Sequence, residues 1–150
     1  FYTDAFPILK KHNIKAVNYV VYNFTGRLNH MKKHQIEEIV KSGLVEIGAH
    51  TLNHAWLIGA EESAAYNEIA LCKEYLEKDY GVEVNSFAYP YGAHDGTVIG
   101  LVKKAGYTTA VLAKEGEENV IVLREGLLEI PRIRPGHTSG TSLLKIVKDM

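Results

Sequence analysis

Stretches of β-branched and aromatic residues alternate along this chain with stretches of helical periodicity, and this alternation constrains the fold more than any other feature. The predicted strands are residues 14–22, 44–50, 84–90 and 108–113. The predicted helices are residues 3–13, 32–43, 61–81 and 95–107. Parallel strands need a long crossover between them, and a helix usually supplies it. The alternation therefore predicts an α/β fold built on a parallel sheet.

The two ends of this pattern are less regular. Residues 118–134 predict one or two short strands, and residues 142–150 predict a closing helix. The first predicted helix precedes the first predicted strand, whereas a right-handed βαβ unit starts with a strand. We therefore expect a further strand before residue 1, so that residues 1–150 form a single domain that is truncated at its N-terminus.

The longest predicted helix carries a single apolar stripe. Its members are Ala65, Ile69, Cys72 and Leu76, spaced four, three and four residues apart. We expect this stripe to be buried, with Cys72 packed in the core rather than reactive. Cys72 is also the only cysteine, which excludes an internal disulfide and a multi-cysteine zinc site.

The composition fits a globular domain and argues against two classes of partner. The chain has 150 residues, of which 46% are hydrophobic and 23% charged, and its net charge is -1. Without a basic cluster, we expect neither nucleic acid nor an anionic membrane surface as a partner. No apolar run approaches the ~20 residues of a membrane span, so none is predicted.

Polar loops follow three of the predicted strands. They are residues 49–54, 89–95 and 134–140. In parallel α/β folds, ligand sites gather at the carboxyl ends of the strands. We therefore expect these three loops to form one rim around a site.

Two histidines, His50 and His54, follow the second predicted strand. If a helical turn begins there, both side chains lie on one face. Neutral imidazoles at this spacing suit Zn²⁺ or a similar divalent ion. The residues between them are Thr-Leu-Asn, so the glutamate of an HExxH metalloprotease is absent. Two surface histidines on a polar loop are the alternative interpretation.

The segment Tyr-Pro-Tyr-Gly, residues 89–92, predicts a rigid turn with exposed aromatic rings. Rings at a rim stack on the apolar faces of sugars, and a backbone N–H held in a turn can stabilise an oxyanion. We place Tyr89, Pro90, Tyr91 and Trp56 as candidate substrate-binding residues. A purely structural Pro-Gly turn that closes a core strand is the alternative.

The remaining candidates lie in the second half of the chain. A histidine near a metal site can act as a general acid, and His137 lies in a Gly- and Ser-rich loop where a catalytic side chain is expected. A solvated loop histidine is the competing interpretation. The other candidates are His94, Asp95, Arg132 and Arg134.

Taken in order, five stretches of the chain resemble the polysaccharide deacetylases of carbohydrate esterase family 4. They are AFPILKKHNIKAVNYVV, VEIGAHTLNHAWL, FAYPYG, AGYTTAV and IPRIR. The resemblance implies a distorted, incomplete (β/α) barrel with seven strands, from which the first strand is missing here. It also implies a divalent metal, zinc first, with cobalt, manganese or nickel as alternatives.

The resemblance also implies roles for individual residues. His50 and His54 would be two metal ligands, and Thr51 would hold their loop. The Tyr91 backbone N–H would bind the oxyanion, and Pro90 would shape the groove. The metal would polarise the acetyl carbonyl and activate a water, an aspartate would take the proton, and a late histidine would protonate the leaving amine. His137 is the nearest candidate for that histidine.

Three departures from the family pattern stand out. The Asp-Asp motif of the family's first strand, which supplies the third metal ligand and the base, is absent, since Asp4 belongs to the first predicted helix. The arginine of the family's R-x-P-Y motif is Ala88 here, which removes an orienting partner of the catalytic aspartate. The late Leu-x-x-His motif has no clean match.

These features predict an exported bacterial enzyme that deacetylates N-acetylglucosamine residues of a cell-wall or surface polysaccharide. Such polymers lie outside the membrane, so we expect an extracellular or cell-surface location. Two alternatives are a non-catalytic barrel that binds glycan through the Tyr-Pro-Tyr-Gly rim and a hydrolase of small non-sugar amides. Glycan binding that survives loss of both histidines would favour the first, and a short, closed groove would favour the second.

Overall fold

A computed structural model of the chain describes residues 1–115 and 127–132. This part of the chain contains four α-helices and five strands. Four of the strands lie where strands were predicted, and the fifth lies within residues 118–134, where one or two short strands were predicted. The helices are α1 (Ala5–His12), α2 (Lys33–Lys41), α3 (Glu62–Tyr80) and α4 (Gly96–Lys104). The strands are β1 (Ala16–Val20), β2 (Val45–Ala49), β3 (Ser86–Ala88), β4 (Thr109–Glu115) and β5 (Ile130–Arg132). The predicted closing helix at 142–150 lies outside the described residues.

The five strands form one parallel sheet in the order β1-β2-β3-β4-β5. The predicted α/β fold with a parallel sheet is confirmed. The strand order follows the chain without reversal, as in a barrel wall, whereas a doubly wound sheet reverses direction partway. Barrel closure and the count of seven strands stay predictions.

The two faces of the sheet differ in character because successive side chains point to opposite sides of a strand. On β2, Val45, Ile47 and Ala49 are buried and lie on the face covered by α2 and α3. Glu46 and Gly48 belong to the opposite face, and His50 continues their row one residue beyond the strand. The first face holds the core, and the second is the face on which the row of His50 lies.

Side chains from both ends of the sheet converge on this second face. The Tyr19 ring of β1 crosses over Gly48 of β2, and its hydroxyl lies 2.7 Å from Ser86 Oγ on β3. The Arg132 guanidinium of β5 lies 5.7 Å from the centroid of the same ring. Such convergence is expected where a sheet curves around one face, as in the wall of a barrel.

Helix α3 confirms the predicted apolar stripe. Its buried residues are Ala65, Ile69, Cys72 and Leu76. Burial raises the pKa of the Cys72 thiol to about 12, so the thiol stays protonated and inert near neutral pH. Near the N-terminus, Asn13 ends α1 in a left-handed conformation with φ 52°.

Within the described ranges, no helix is long and apolar enough to cross a membrane.

Candidate functional site

His50 begins the loop that leaves β2, and two hydrogen bonds fix its position. Its backbone N–H donates to the Val20 carbonyl at 3.0 Å, which continues the pairing of β1 with β2. Its ring Nδ1 lies 2.7 Å from the Ala88 carbonyl oxygen at the end of β3. A carbonyl can only accept, so Nδ1 must carry the proton. The other ring nitrogen, Nε2, is then the one with a lone pair for a metal.

The surroundings of His50 favour its neutral form. Burial lowers the pKa of His50, and the charges of His54 and Arg132 lower it further, while the hydrogen bond to Ala88 opposes these effects. A neutral imidazole is the form that binds a metal. The site therefore keeps His50 ready to act as a ligand.

His54 reaches His50 through an irregular loop rather than a helical turn. Thr51 and His54 both have left-handed backbones, with φ 63° and φ 59°. The helical turn on which the interpretation of the i, i+4 spacing was conditional does not form, but the two side chains still lie close together. The two imidazole centroids lie 4.7 Å apart, with the ring planes at 77°. Non-glycine residues in this conformation are strained, and such strain tends to cluster at functional sites.

Thr51 anchors the start of this loop inside the protein. Its side chain is fully buried, and its Oγ1 accepts a hydrogen bond from the Ala55 N–H at 3.3 Å. Its carbonyl accepts from the Tyr22 N–H at 3.2 Å. These contacts match the supporting position that the resemblance implied for Thr51.

The turn after β3 places an aromatic ring beside the two histidines. Tyr91 has φ 60° and is 62% exposed, and its ring centroid lies 4.5 Å from that of His54. Trp56 is 59% exposed, and its ring centroid lies 5.7 Å from that of Tyr91. His50, His54, Tyr91 and Trp56 therefore form one continuous row from the candidate metal ligands to an exposed aromatic rim.

The Tyr91 N–H is not one of the donors in the hydrogen bonds that close this turn. The turn's hydrogen bonds are donated by Gly92 to the Tyr89 carbonyl and by Ala93 to the Pro90 carbonyl, both at 3.0 Å. Gly92 has φ +69°, and an added Cβ would lie 2.9 Å from the Ala113 nitrogen of β4. Only glycine allows the turn to lie this close to the sheet.

The structure corrects the prediction that Tyr89 and Pro90 contact substrate through their side chains. Both are fully buried. The Tyr89 ring packs against Phe87, and its hydroxyl donates to the Leu128 carbonyl at 3.0 Å. Pro90 instead begins the turn that exposes Tyr91. Tyr89 is a core residue because it falls on the same strand face as buried Phe87.

The other candidates take structural positions or lie outside the described residues. Asp95 caps α4 by accepting from the Val98 N–H at 2.8 Å. His94 contacts the Gly92 carbonyl at 2.9 Å and the Glu129 carboxylate at 3.2 Å, which joins the turn to the segment before β5. The Arg132 Nε donates to the Leu112 carbonyl at 2.7 Å. Arg134 and His137 lie outside the described residues.

The donor set fits a divalent metal in part. Two imidazoles at close range are suitable nitrogen ligands for zinc and related ions. Across residues 1–115 and 127–132, no third His, Cys, Asp or Glu joins them in a group that could hold a metal. A catalytic zinc site ordinarily has three protein ligands and one open position. For such a site, the described residues would provide two of the three.

Sequence reasoning missed one group of residues beside the site. Glu68 on α3 accepts two hydrogen bonds from Asn53, the residue that precedes His54. Asn23, from the turn after β1, donates to the Asn53 side chain at 2.8 Å. These residues come from three separate parts of the chain. No local pattern in the sequence could have connected them.

Comparison with known proteins identifies the family. The sequence model described as polysaccharide deacetylase matches residues 1–110. The poly-beta-1,6-N-acetyl-D-glucosamine N-deacetylase of Staphylococcus epidermidis is 28% identical over 157 residues, covering 96% of this chain and 53% of that protein. The chain spans about half the length of such curated relatives.

Solved structures agree with this assignment. The Streptococcus pyogenes deacetylase PplD, determined in complex with acetate, is 31% identical to this chain with a TM-score of 0.88. The alignment covers 97% of this chain and 64% of PplD. A Bacillus cereus polysaccharide deacetylase is 27% identical with a TM-score of 0.84, over 97% of this chain and 47% of that one.

The family match includes the two histidines, the loop between them and the turn that carries Tyr91. It spans 110 of the 150 residues, well over half of the chain. The resemblance inferred from the motifs is confirmed: this chain belongs to the polysaccharide deacetylases of carbohydrate esterase family 4.

Proposed function

We propose that this chain is the catalytic region of a metal-dependent deacetylase that removes acetyl groups from N-acetylglucosamine residues of a bacterial polysaccharide. The observation that carries this proposal is the hydrogen bond from His50 Nδ1 to the Ala88 carbonyl, which leaves Nε2 for a metal next to His54. The family and the named activity of the Staphylococcus epidermidis relative support the substrate class. A cell-wall or surface polymer as substrate implies an exported protein.

His50 and His54 would hold the metal, with zinc the first choice and cobalt, manganese or nickel as alternatives. The third ligand and the general base have to come from acidic side chains outside the described residues, since none joins the pair within them. The bound metal would supply Lewis-acid polarisation of the acetamide carbonyl and a lowered pKa for the attacking water.

The residues of the rim have separate tasks in this proposal. The backbone N–H of Tyr91 donates to the oxyanion that develops as the acetamide carbonyl is attacked. The exposed rings of Tyr91 and Trp56 stack on sugar faces and hold the polymer across the site. Pro90 fixes the turn from below. His137 is the proposed general acid that protonates the leaving amine.

The test is acetate release from N-acetylated chito-oligosaccharides and from poly-β-1,6-linked N-acetylglucosamine oligomers, with Zn²⁺ or Co²⁺ added. We expect the natural-length protein to release acetate, and His50→Ala and His54→Ala to remove that activity. His12→Ala, at the exposed end of α1, is the matched control and should keep full activity. If the protein releases no acetate while a known deacetylase does so under the same conditions, the proposal is wrong.

A second candidate function is glycan binding without catalysis, and the exposed Trp56–Tyr91 pair is the observation that favours it. This pair does not depend on a metal. The two functions separate in one experiment, since binding alone predicts that the wild-type protein binds the oligosaccharide without releasing acetate and that this affinity survives both histidine replacements. An open aromatic rim also favours a polymer over the third candidate, a small non-sugar amide.

A further inference from the structure

The three residues between His50 and His54 are tied to the rest of the protein by an unusually complete set of contacts. The Leu52 N–H donates to the Glu68 backbone carbonyl at 3.1 Å, and the Leu52 carbonyl accepts from the Asn23 N–H at 2.9 Å. With the Thr51 carbonyl bound to the Tyr22 N–H, the path between the two metal-ligand candidates is fixed at each step.

The Glu68 carboxylate makes the most specific of these contacts. Its Oε2 accepts from the Asn53 backbone N–H at 2.9 Å, and its Oε1 accepts from the Asn53 side-chain Nδ2 at 2.6 Å. Asn53 Oδ1 in turn accepts from Asn23 Nδ2 at 2.8 Å. Hydrogen bonds to an ionised carboxylate are shorter and stronger than neutral ones, and two from one residue also fix its orientation. We name Glu68, Asn53 and Asn23 the Glu68 latch.

Glu68 connects the loop between the two histidines to a helix that is packed in the core. It belongs to α3, a helix of 19 residues, and the next residue, Ile69, is fully buried. Asn53 directly precedes His54, whose left-handed backbone has φ 59°. This backbone conformation is unfavourable for a residue with a side chain, so it persists only where its neighbours hold it. The Glu68 latch holds the neighbour on the N-terminal side.

We propose that Glu68 is a positioning residue for the metal pair: by holding Asn53 in two places, it keeps the His54 backbone left-handed and so sets the separation of the two imidazoles. Glu68 does not touch the metal or the substrate. The inference rests on the proposed function, because it concerns the geometry of the metal held by His50 and His54.

The test first removes the negative charge of Glu68 and one of its hydrogen bonds to Asn53. A second replacement, at Asn53, then restores two hydrogen bonds between these positions. In Glu68→Gln, the amide nitrogen of the new side chain faces the Asn53 Nδ2, so two donors meet and that bond is lost. Adding Asn53→Asp lets the glutamine donate to the aspartate and still accept from the residue 53 N–H. Glu74→Gln, an exposed position on the same helix, is the matched control.

Three quantities are measured on the natural-length protein: the Zn²⁺ dissociation constant by competition with a weak chromophoric chelator, the visible spectrum of the Co²⁺-loaded protein, and the thermal unfolding midpoint without metal. We expect Glu68→Gln to weaken Zn²⁺ binding roughly tenfold, the lower end of the effect of outer partners of metal ligands. We also expect changed Co²⁺ bands, recovery of both in the double variant, and wild-type behaviour for Glu74→Gln.

Two outcomes would overturn the inference, and they are distinguishable. If the wild-type chain binds the metal and Glu68→Gln lowers only the unfolding midpoint, with the Zn²⁺ affinity and Co²⁺ spectrum unchanged, the latch is a structural link without a role at the site. If the natural-length wild-type protein binds neither Zn²⁺ nor Co²⁺, the proposed metal function itself fails, and the inference fails with it.

Discussion

At the scale of single residues, the site depends on backbone conformations that are rare for residues with side chains. Thr51, His54 and Tyr91 all have φ near +60°. At each of them the chain turns sharply. Thr51 starts the loop between the histidines, His54 carries the second imidazole, and Tyr91 carries the exposed ring. These conformations bring the side chains of the site together at the cost of local backbone strain. The surrounding hydrogen bonds offset that strain.

We predict that the rings of Tyr91 and Trp56 contribute to substrate binding but not to the chemical step. Tyr91→Ala keeps the backbone N–H and removes the ring, so KM for a polymeric substrate should rise roughly five- to tenfold with kcat nearly unchanged, equivalent to about 1–1.4 kcal/mol. Steady-state kinetics on N-acetylated oligosaccharides checks this, with Tyr91→Phe as the conservative control. A fall in kcat with unchanged KM would assign the ring to catalysis instead.

At the scale of elements, the crossing of Tyr19 over Gly48 joins three strands below the two histidines. The ring of a β1 residue occupies the space above β2, and its hydroxyl meets Ser86 of β3. This arrangement requires glycine at position 48, since any Cβ there would overlap the Tyr19 ring. The face of the sheet that carries the site is therefore filled from a neighbouring strand.

We predict that Gly48→Ala destabilises the protein because the new methyl group displaces the Tyr19 ring. Overpacking of this kind costs about 1–3 kcal/mol in the free energy of unfolding. Gly100→Ala is the matched control, since it lies in α4 with open space at its Cβ, and should be neutral or stabilising by up to ~1 kcal/mol. Chemical denaturation measures both. Equal stability of Gly48→Ala and wild type would show that the ring moves aside without cost.

At the scale of the whole molecule, the sheet brings distant parts of the chain to one site. His50 and His54 come from the end of β2, Tyr91 from the turn after β3, and Arg132 from β5 on the far side of the sheet. Metal binding to the histidines would therefore act on the stability of the folded state as a whole, because the unfolded chain does not hold these ligands together.

We predict that Zn²⁺ raises the thermal unfolding midpoint. At a free concentration of ~100 times the dissociation constant, binding stabilises the folded state by about 2.7 kcal/mol. For a chain of this length that corresponds to roughly 5–10 °C. Differential scanning calorimetry with and without Zn²⁺ measures the shift. His54→Ala should remove the shift and His12→Ala should keep it. An equal shift in all three proteins would mean that Zn²⁺ binds elsewhere.

Local patterns in the sequence were enough to predict the helices α1–α4 and the strands β1–β4 in the part of the chain that the structure describes. The stripe of Ala65, Ile69, Cys72 and Leu76 predicted the buried face of α3 correctly, because helical periodicity depends on neighbours a few residues apart. The period of a strand could also have corrected one error. Tyr89 follows Phe87 by two residues, so both fall on the same face, and both are buried.

The geometry of the site depends on contacts that no local pattern contains. The loop from His50 to His54 follows a path set by Tyr22, Asn23 and Glu68, which are distant in sequence. The spacing of the histidines indicated that they could meet through a helical turn, but that turn does not form. The left-handed backbone of Thr51, a β-branched residue, is a product of tertiary structure rather than of residue preference.

The partner that holds the His50 tautomer is a main-chain carbonyl, that of Ala88. Every amino acid has this group, so no replacement of the side chain at position 88 can delete it. A carboxylate partner could be lost through a single mutation. Here the Ala88 carbonyl would leave His50 only if β2 and β3 changed their register. The protonation of Nδ1 in neutral His50 is therefore maintained as long as these two strands stay paired.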